Sequence, residues 1–275
     1  MYTFKDSCEH LVVSLSLELP VDTDAVSMQI RDSLIADFAR CCRQPGYDQE
    51  NEFSIEPYGG DMGDAQAIVY YYGKAAYDFL YKGAMSDFNE RMKYVEEDNT
   101  LTAEDKEQIK KDVPQWAFEL TMNKTTDAVC FVVYQSMAYV YYGGAHGGVT
   151  GSGALTFDKS TGRKIGRFVN EDATADLQPL IRNGLLQYYS ECGETLTDIE
   201  LGNRLQTTSD TIPQPVNTPY PNATGDSLVF TYRQYEIVCY ADGMPSFKIS
   251  VNDLMPYLTD DGKALFDRER MASFE

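Results

Sequence analysis

The chain has few histidines and few basic residues, and each shortage excludes a class of function. His10 and His146 are its two histidines, and its six cysteines form no C-x-x-C pair, so we expect neither a metal ion nor another cofactor. With 23 Lys and Arg against 43 Asp and Glu, the formal net charge is −20. Because phosphate groups require basic partners, this charge argues against nucleic acid and against anionic membrane surfaces. It is compatible with a cationic partner, and equally with an acidic surface that only keeps the protein soluble.

Long apolar runs are also missing. The sequence holds no run of eighteen apolar residues, so we expect no membrane-spanning segment. The first residues, Met1 to Asp6, contain neither a basic region nor an apolar region of a secretory leader. The sequence therefore leaves two locations open: the cytosol, or a place outside it reached through a leader that has been removed.

Glycine is concentrated in one short segment. Residues 141–148 hold four glycines and His146, between the strand-like runs 129–134 and 155–157. This pattern predicts a loop at a strand junction with positive φ angles, in which Gly143, Gly144 and Gly147 resist replacement by alanine. His146 would either contact a ligand or hold the loop by a hydrogen bond, in both cases without a metal. The segment lacks the Lys-Ser/Thr ending and the G-x-G-x-x-G pattern of phosphate-binding loops.

Helical periodicity dominates the first part of the chain. An alternating run from Leu11 to Leu19 first predicts a strand with one buried face, which we expect to join a sheet. Apolar residues three and four apart then predict a helix over residues 26–38 and a second from about Asp64, with a helical pattern that continues past Gly83. Thr102 followed by Asp105 predicts the start of a short charged helix.

The periodicity changes to two near Pro114. Alternating residues predict strands over residues 116–123 and 129–142 and around Phe157, Phe230 and Ile249, with a turn at Asp158–Lys164 that favours antiparallel pairing. Residues 172–190 resemble a helix, and the four-proline stretch 209–225 predicts an irregular or edge segment. We therefore predict an α+β fold with helices packed on an antiparallel sheet. The helix-rich region is 1–113 and the strand-rich region is 114–275, and the two are expected to share one core or a tight interface.

Three segments in this order carry a resemblance to a known family. They are Tyr141 to Gly148; Leu155-Thr156-Phe157-Asp158 with Thr161-Gly162; and Gln234-Tyr235-Glu236-Ile237 followed by Tyr240-Ala241-Asp242-Gly243-Met244-Pro245. Together they resemble the extracytoplasmic domain of the RsiV anti-sigma factor, which senses lysozyme, and related bacterial surface lipoproteins. The resemblance covers about residues 115–257, and the first half of the chain matches more loosely.

The resemblance implies an α+β domain outside the cytoplasmic membrane, in the periplasm or on the cell surface, anchored by lipid through a removed leader. It implies binding rather than catalysis, with a lysozyme-like protein or a cell-wall glycan as partner. The chain departs from the family in having Val238-Cys239-Tyr240 where relatives often have Ala-Pro-Tyr. It also carries no anti-sigma segment and no metal-binding motif of a deacetylase, so neither signalling by cleavage nor deacetylation is supported.

Two glycine-containing loops are the candidate ligand face. One carries Tyr142, Gly144 and His146, and the other carries Tyr240, Met244 and Phe247. We expect the two loops to lie near each other, because loops held by a rigid sheet are where binding residues concentrate. The alternative is that both motifs only stabilise corners of the sheet.

Two other classes of function remain open. A cell-wall hydrolase would need two facing carboxylates or a triad built on His10 or His146, but the sequence has no G-x-S-x-G motif around Ser152. A purely structural envelope protein would instead show a large exposed apolar patch and no cleft.

Overall fold

The computed structural model describes residues 1–43, 55–143, 148–207 and 211–272. Over these residues the predicted α+β class is confirmed, with helices concentrated in the first half and strands in the later half. Two sheets are present in the described residues, one of six strands and one of three.

The six-stranded sheet begins with a hairpin at the N-terminus. Strand β1 (Tyr2–Cys8) pairs antiparallel with β2 (Leu11–Leu17), whose alternate side chains are buried as the sequence predicts. The sheet continues through β3 (Trp116–Asp127), β4 (Phe131–Tyr141), β5 (Val149–Asp158) and β6 (Lys164–Ile165), in that order. The expected addition of the N-terminal strand to the sheet is therefore confirmed. Strand β1, which the sequence analysis did not identify, occupies the edge.

One strand pair departs from a purely antiparallel sheet. Strand β2 runs parallel to β3, with Leu11 opposite Trp116 and Leu17 opposite Met122. In the sequence, three helices separate β2 from β3: α1 (Ala25–Arg43), α2 (Ala65–Glu97) and α3 (Ala103–Lys111). A connection that contains helices can return the chain to the starting end of the sheet, whereas a tight turn cannot. The predicted antiparallel sheet thus contains one parallel pair, while β1–β2, β5–β6 and the pairs of the three-stranded sheet are antiparallel.

Helix α2 is a single helix of 33 residues, with Asp64 accepting a hydrogen bond from the backbone of Ala67 at its start. Its glycines lie where aromatic rings approach the helix. A Cβ atom on Gly73 would lie 2.3 Å from the ring of Phe4, and one on Gly83 would lie 2.8 Å from the ring of Trp116. These glycines therefore allow close packing of the helix on the sheet and do not interrupt it. The predicted Thr102–Asp105 capping box is also present, at the start of α3.

A hydrophobic core lies between helix α4 (Gln178–Glu191) and a three-stranded sheet. The strands of this sheet are β7 (Tyr220–Pro221), β8 (Ser227–Thr231) and β9 (Ser246–Ser250). In the helix predicted over residues 172–190, the apolar stripe consists of Leu177, Ile181, Leu185 and Tyr188; the first three are fully buried there and Tyr188 is half-buried. The proline-rich stretch ends in the edge strand β7, as expected for an edge segment, although residues 208–210 lie outside the described part.

Three further helices were not predicted: α5 (Asp198–Arg204), α6 (Val251–Leu254) and α7 (Asp260–Ala272). Helix α5 has a recognisable signal, because Thr197 and Glu200 form a capping box. Helices α5 and α6 have only seven and four residues, so they carry few apolar repeats and their periodicity is weak. Within the described residues, every helix falls short of the length or the apolarity that a bilayer crossing requires.

The chain divides into two compact units. The first comprises Met1–Leu19, Leu34–Met122 and Met137–Thr150, and the second comprises Pro20–Ser33, Asn123–Ser136 and Gly151–Glu275. Both units are discontinuous in sequence, because strands β3, β4 and β5 each contribute residues to both.

Candidate binding site

A tight turn in the second unit holds Tyr235 in a left-handed backbone conformation, with φ at +63°. Among the described residues it is the one non-glycine residue with positive φ. Such a conformation typically destabilises a folded protein by about 1–3 kcal/mol and persists when surrounding contacts hold it in place. Those contacts are present here, and they converge on the next residue, Glu236.

The carboxylate of Glu236 closes this turn. One oxygen accepts a hydrogen bond from the backbone N–H of Arg233 at 2.7 Å, and the other accepts from the N–H of Val216 at 2.6 Å. The backbone N–H of Glu236 in turn donates to the carbonyl of Arg233 at 3.1 Å. The Glu236 carboxylate thus joins the turn to the proline-rich segment by one hydrogen bond to each.

The Arg233 side chain adds a second attachment. Its Nε and Nη2 donate to Oδ1 of the buried Asn217, at 3.0 and 2.8 Å. Tyr232, which is fully buried, donates its hydroxyl to the carbonyl of Pro213 at 2.7 Å. The residue before Arg233 and the side chain of Arg233 are therefore both fixed, so the position of Tyr235 is determined by the core beneath it.

The turn presents apolar surface to solvent. Tyr235 is 50% exposed and Val216 is 68% exposed. The ring of Tyr235 lies 5.6 Å from the half-buried ring of Tyr240, at an interplanar angle of 39°. We call Val216, Tyr235 and Tyr240 the tyrosine turn. Rigid aromatic side chains that are already ordered lose little entropy on binding, which suits them to contact a partner.

Tyr240 itself begins a short 3-10 helix, Tyr240–Asp242, that is fixed through Asp242. The hydroxyl of Tyr188 donates to the carbonyl of Asp242 at 2.8 Å, and Nε of Arg204 lies 3.0 Å from its Oδ1. The thiol of Cys239 donates to Oδ2 of the same carboxylate at 3.0 Å. Helices α4 and α5 thereby hold Tyr240 in place.

Two side chains around Asp242 have shifted pKa values. Partial burial, followed by the neighbouring Cys192, raises the pKa of the Tyr188 phenol. A hydrogen bond to Glu194 raises the pKa of the Arg204 guanidinium. Tyr188 is therefore protonated and Arg204 charged at neutral pH, as their hydrogen bonds to Asp242 require.

The residues predicted from sequence lie in different surroundings. Tyr142 packs on Trp116 in the first unit, with ring centroids 5.0 Å apart, and burial raises the pKa of its phenol. Gly144 and His146 lie outside the described residues. Phe247 is 5% exposed and stacks on Phe230 at 5.8 Å, so its ring serves the core of the second unit.

Tyr240 and Met244 are half-buried, and of these two the structure brings Tyr240 into the tyrosine turn. The expected proximity of the two glycine-containing loops stays a prediction, because one belongs to each unit. Tyr235 and Val216 were missed as site residues. Gln234-Tyr235-Glu236 was visible as a motif, but no sequence pattern indicates that a tyrosine has positive φ.

Across the described ranges, no group of three or more His, Cys, Asp or Glu side chains is arranged to hold a metal ion.

The tyrosine turn lies in a segment shared with other proteins. Residues 168–252 match a family described as "Protein of unknown function (DUF3298)". This DUF3298 segment contains α4, α5, the three-stranded sheet and the whole tyrosine turn. It covers less than a third of the chain, so the match concerns the second unit.

A solved structure extends the likeness in fold. A crystal structure of a DUF3298 family member from Bacteroides fragilis is similar with a TM-score of 0.61 and 17% identity, over 94% of this chain and 92% of that chain. A DUF3298 family protein from Pseudomonas aeruginosa PAO1 gives a TM-score of 0.42 and 16% identity, over 58% of this chain and 70% of that chain. No curated protein matches the chain. At these identities the first likeness shows a shared fold and nothing about ligands.

Proposed function

We propose that the protein is a binding module of a bacterial cell envelope and that the tyrosine turn contacts its partner. The observation that carries this proposal is the exposed Tyr235 ring, which contacts the ring of Tyr240 and is held on a strained turn by the hydrogen bonds of the Glu236 carboxylate. Strain at an exposed aromatic residue is common where the backbone is shaped for contact with another molecule. Tyrosine is also enriched where protein partners meet.

The proposed partner is a cationic protein of the lysozyme type. The net charge of −20 favours encounter with a basic partner, since opposite charges steer diffusion and accelerate association. The RsiV-like motif Gln234-Tyr235-Glu236-Ile237 supports the same partner class and contributes Tyr235 itself. The resemblance also supports a location outside the cytoplasmic membrane with a lipid anchor. Recovery of the full-length gene product in the cytoplasmic fraction of cells would contradict that location.

Binding to a panel of lysozymes tests the proposal by biolayer interferometry. Tyr235→Asn removes the ring while retaining a residue type that tolerates positive φ, so the turn should survive. We expect Tyr235→Asn and Tyr240→Ala each to weaken binding by about tenfold or more, as loss of an interface anchor does. We expect Met244→Ala to weaken it less.

The matched control is Tyr94→Ala. Tyr94 is 65% exposed on helix α2 of the first unit. The variant therefore loses a similarly exposed aromatic ring at a position outside the tyrosine turn. The control should bind as the unaltered protein does, and all variants should keep its melting temperature within a few degrees. Unchanged affinity in Tyr235→Asn, or no binding of the unaltered protein to any lysozyme, would show the proposal to be wrong.

A further inference from the structure

Hydrogen bonds connect two cysteines of the second unit to the same residue, Asp242. The thiol of Cys239 donates to Oδ2 of Asp242 at 3.0 Å. The hydroxyl of Tyr188 donates to the carbonyl of Asp242 at 2.8 Å and is also hydrogen-bonded to the thiol of Cys192. One phenol group therefore stands between Cys192 and Asp242, whereas Cys239 contacts Asp242 directly.

The geometry of helix α4 independently places Cys192 beside Tyr188. Cys192 follows Tyr188 by four residues, and its backbone N–H donates to the carbonyl of Tyr188 at 3.1 Å. Residues four apart lie on the same face of a helix. The side chain of Cys192 is thus on the face of α4 from which Tyr188 reaches the 3-10 helix Tyr240–Asp242.

The two cysteines differ in their access to solvent. Cys192 is exposed at the C-terminal end of α4, and Cys239 is half-buried. Gly193 comes directly after Cys192, is exposed, and has no atom within 4 Å of a Cβ. Because helix ends fray, the end of α4 has room to adopt the Cα separation of about 4.4–6.8 Å that a disulfide requires.

The remaining cysteines have other surroundings. Cys8, Cys41 and Cys42 belong to the first unit. Cys130 belongs to the second unit, but its thiol is hydrogen-bonded to Glu269 of helix α7. Cys192 and Cys239 are therefore the two thiols of the second unit that have a neighbouring residue in common.

We propose that Cys192 and Cys239 form a modification site, at which a low-molecular-weight disulfide oxidises them to an intramolecular disulfide. The Cys192 thiolate attacks one sulfur of the oxidant, so that a mixed disulfide forms and one thiolate leaves. The Cys239 thiolate then attacks the sulfur of Cys192, and the second thiolate of the oxidant leaves. The two protons of the cysteines pass to the released thiolates. Two protein thiols are thus oxidised while one disulfide is reduced to two thiols.

The disulfide would join α4 covalently to the segment that carries Tyr240. It replaces the hydrogen bond between Cys239 and Asp242, and it restricts the unfolded chain between residues 192 and 239. Tyr240 follows Cys239 directly, so the bond also holds one ring of the tyrosine turn in place. Disulfides persist outside the cytosol, which accords with the location proposed above. Formation of the bond does not depend on the lysozyme-type partner.

Disulfide mapping of the intact chain tests the proposal. The reduced protein is incubated with glutathione disulfide, its free thiols are blocked with N-ethylmaleimide, and its peptides are analysed by mass spectrometry. We expect a peptide pair linked through Cys192 and Cys239 to be the main oxidised product and to disappear on reduction with dithiothreitol. Oxidation should also raise the melting temperature by roughly 5 °C or more, because the cross-link destabilises the unfolded state.

The matched control is Cys130→Ser, which removes another thiol of the same unit and should form the linked pair with the same rise in melting temperature. Cys192→Ser and Cys239→Ser should form no such pair, and oxidation should shift their melting temperatures by less than about 2 °C. Serine at position 239 retains a hydroxyl donor for Asp242, so the fold of that variant should be kept. The proposal is overturned if both thiols of the unaltered protein react with N-ethylmaleimide after oxidation. It is equally overturned if Cys192 carries only glutathione or if either cysteine links to Cys130.

Discussion

The positive φ angle of Gly143 illustrates how a single residue shapes the first unit. Gly143 has φ at +77°, so the conformation predicted for the glycine-rich loop is confirmed at this position, while Gly144 and Gly147 lie outside the described residues. The carbonyl of Gly143 accepts a hydrogen bond from Nη2 of Arg91 at 2.7 Å. A Cβ atom here would lie 2.9 Å from Nε1 of Trp116. Both the backbone angle and the space require glycine.

We expect Gly143→Ala to lower the free energy of unfolding by about 2–4 kcal/mol. A left-handed backbone contributes about 1–2 kcal/mol of this loss, and the clash with Trp116 and Arg91 contributes the rest. Urea denaturation measures the change. Gly193→Ala isolates the backbone contribution, because Gly193 has φ at +90° and no atom within 4 Å of a Cβ. That control should lose only about 1 kcal/mol. Equal losses in the two variants would contradict the packing role of Gly143.

At the scale of elements, helix α7 is tied to the connection between β3 and β4 by a buried carboxylate. Glu269, which is 8% exposed, accepts hydrogen bonds from the backbone N–H groups of Val129 at 3.3 Å and Cys130 at 2.7 Å. Arg268 of the same helix forms an ion pair with Asp158 at the end of β5. The last helix thus fixes two neighbouring strand ends in the second unit, although the sequence analysis did not predict it.

We expect Glu269→Gln to lower the free energy of unfolding by about 1–3 kcal/mol. An amide retains one acceptor oxygen, and its NH₂ group would face a backbone donor that the carboxylate now satisfies. Asp267→Asn is the matched control, since it removes one carboxylate from the exposed side of the same helix and should change stability by less than about 0.5 kcal/mol. Chemical denaturation compares the two, and equal effects would show that the Glu269 contacts contribute nothing.

At the scale of the whole molecule, the net charge of −20 determines the sign of the long-range electrostatic field. With 43 acidic and 23 basic residues, the chain generates a strong negative field that acts on partners before contact. The tyrosine turn, in contrast, exposes aromatic rings and an aliphatic side chain. In the proposed function, the negative charge therefore accelerates association with the partner, and the tyrosine turn slows its dissociation.

This division predicts a specific salt dependence for lysozyme binding. The association rate constant should fall roughly tenfold or more between low salt and about 0.5 M NaCl, because salt screens the steering field. The dissociation rate constant should change far less. Tyr235→Asn should show the opposite pattern, with faster dissociation and nearly unchanged association. Surface plasmon resonance separates the two rates, and a salt effect confined to dissociation would contradict the division.

Local patterns in the sequence determined the class of the fold and many of its elements. The alternation predicted from Leu11 to Leu19 and the helical pattern predicted over residues 172–190 each express a period among near neighbours in the chain. The capping residues Thr102 and Asp105 express a hydrogen bond between near neighbours. Such features depend on a few consecutive residues, so they can be recognised without knowledge of the rest of the molecule.

Only the tertiary structure decided how distant segments pair and which side chains reach solvent. The parallel pairing of Leu11 with Trp116 depends on three intervening helices. The conformation of Tyr235 depends on a hydrogen bond that the backbone N–H of Val216, twenty residues before Glu236, donates to the Glu236 carboxylate. The exposure of the Tyr235 ring and the burial of the Phe247 ring likewise follow from what packs beneath each residue. Contacts between residues far apart in the chain leave no period in a single sequence, so they become visible only when the chain has folded.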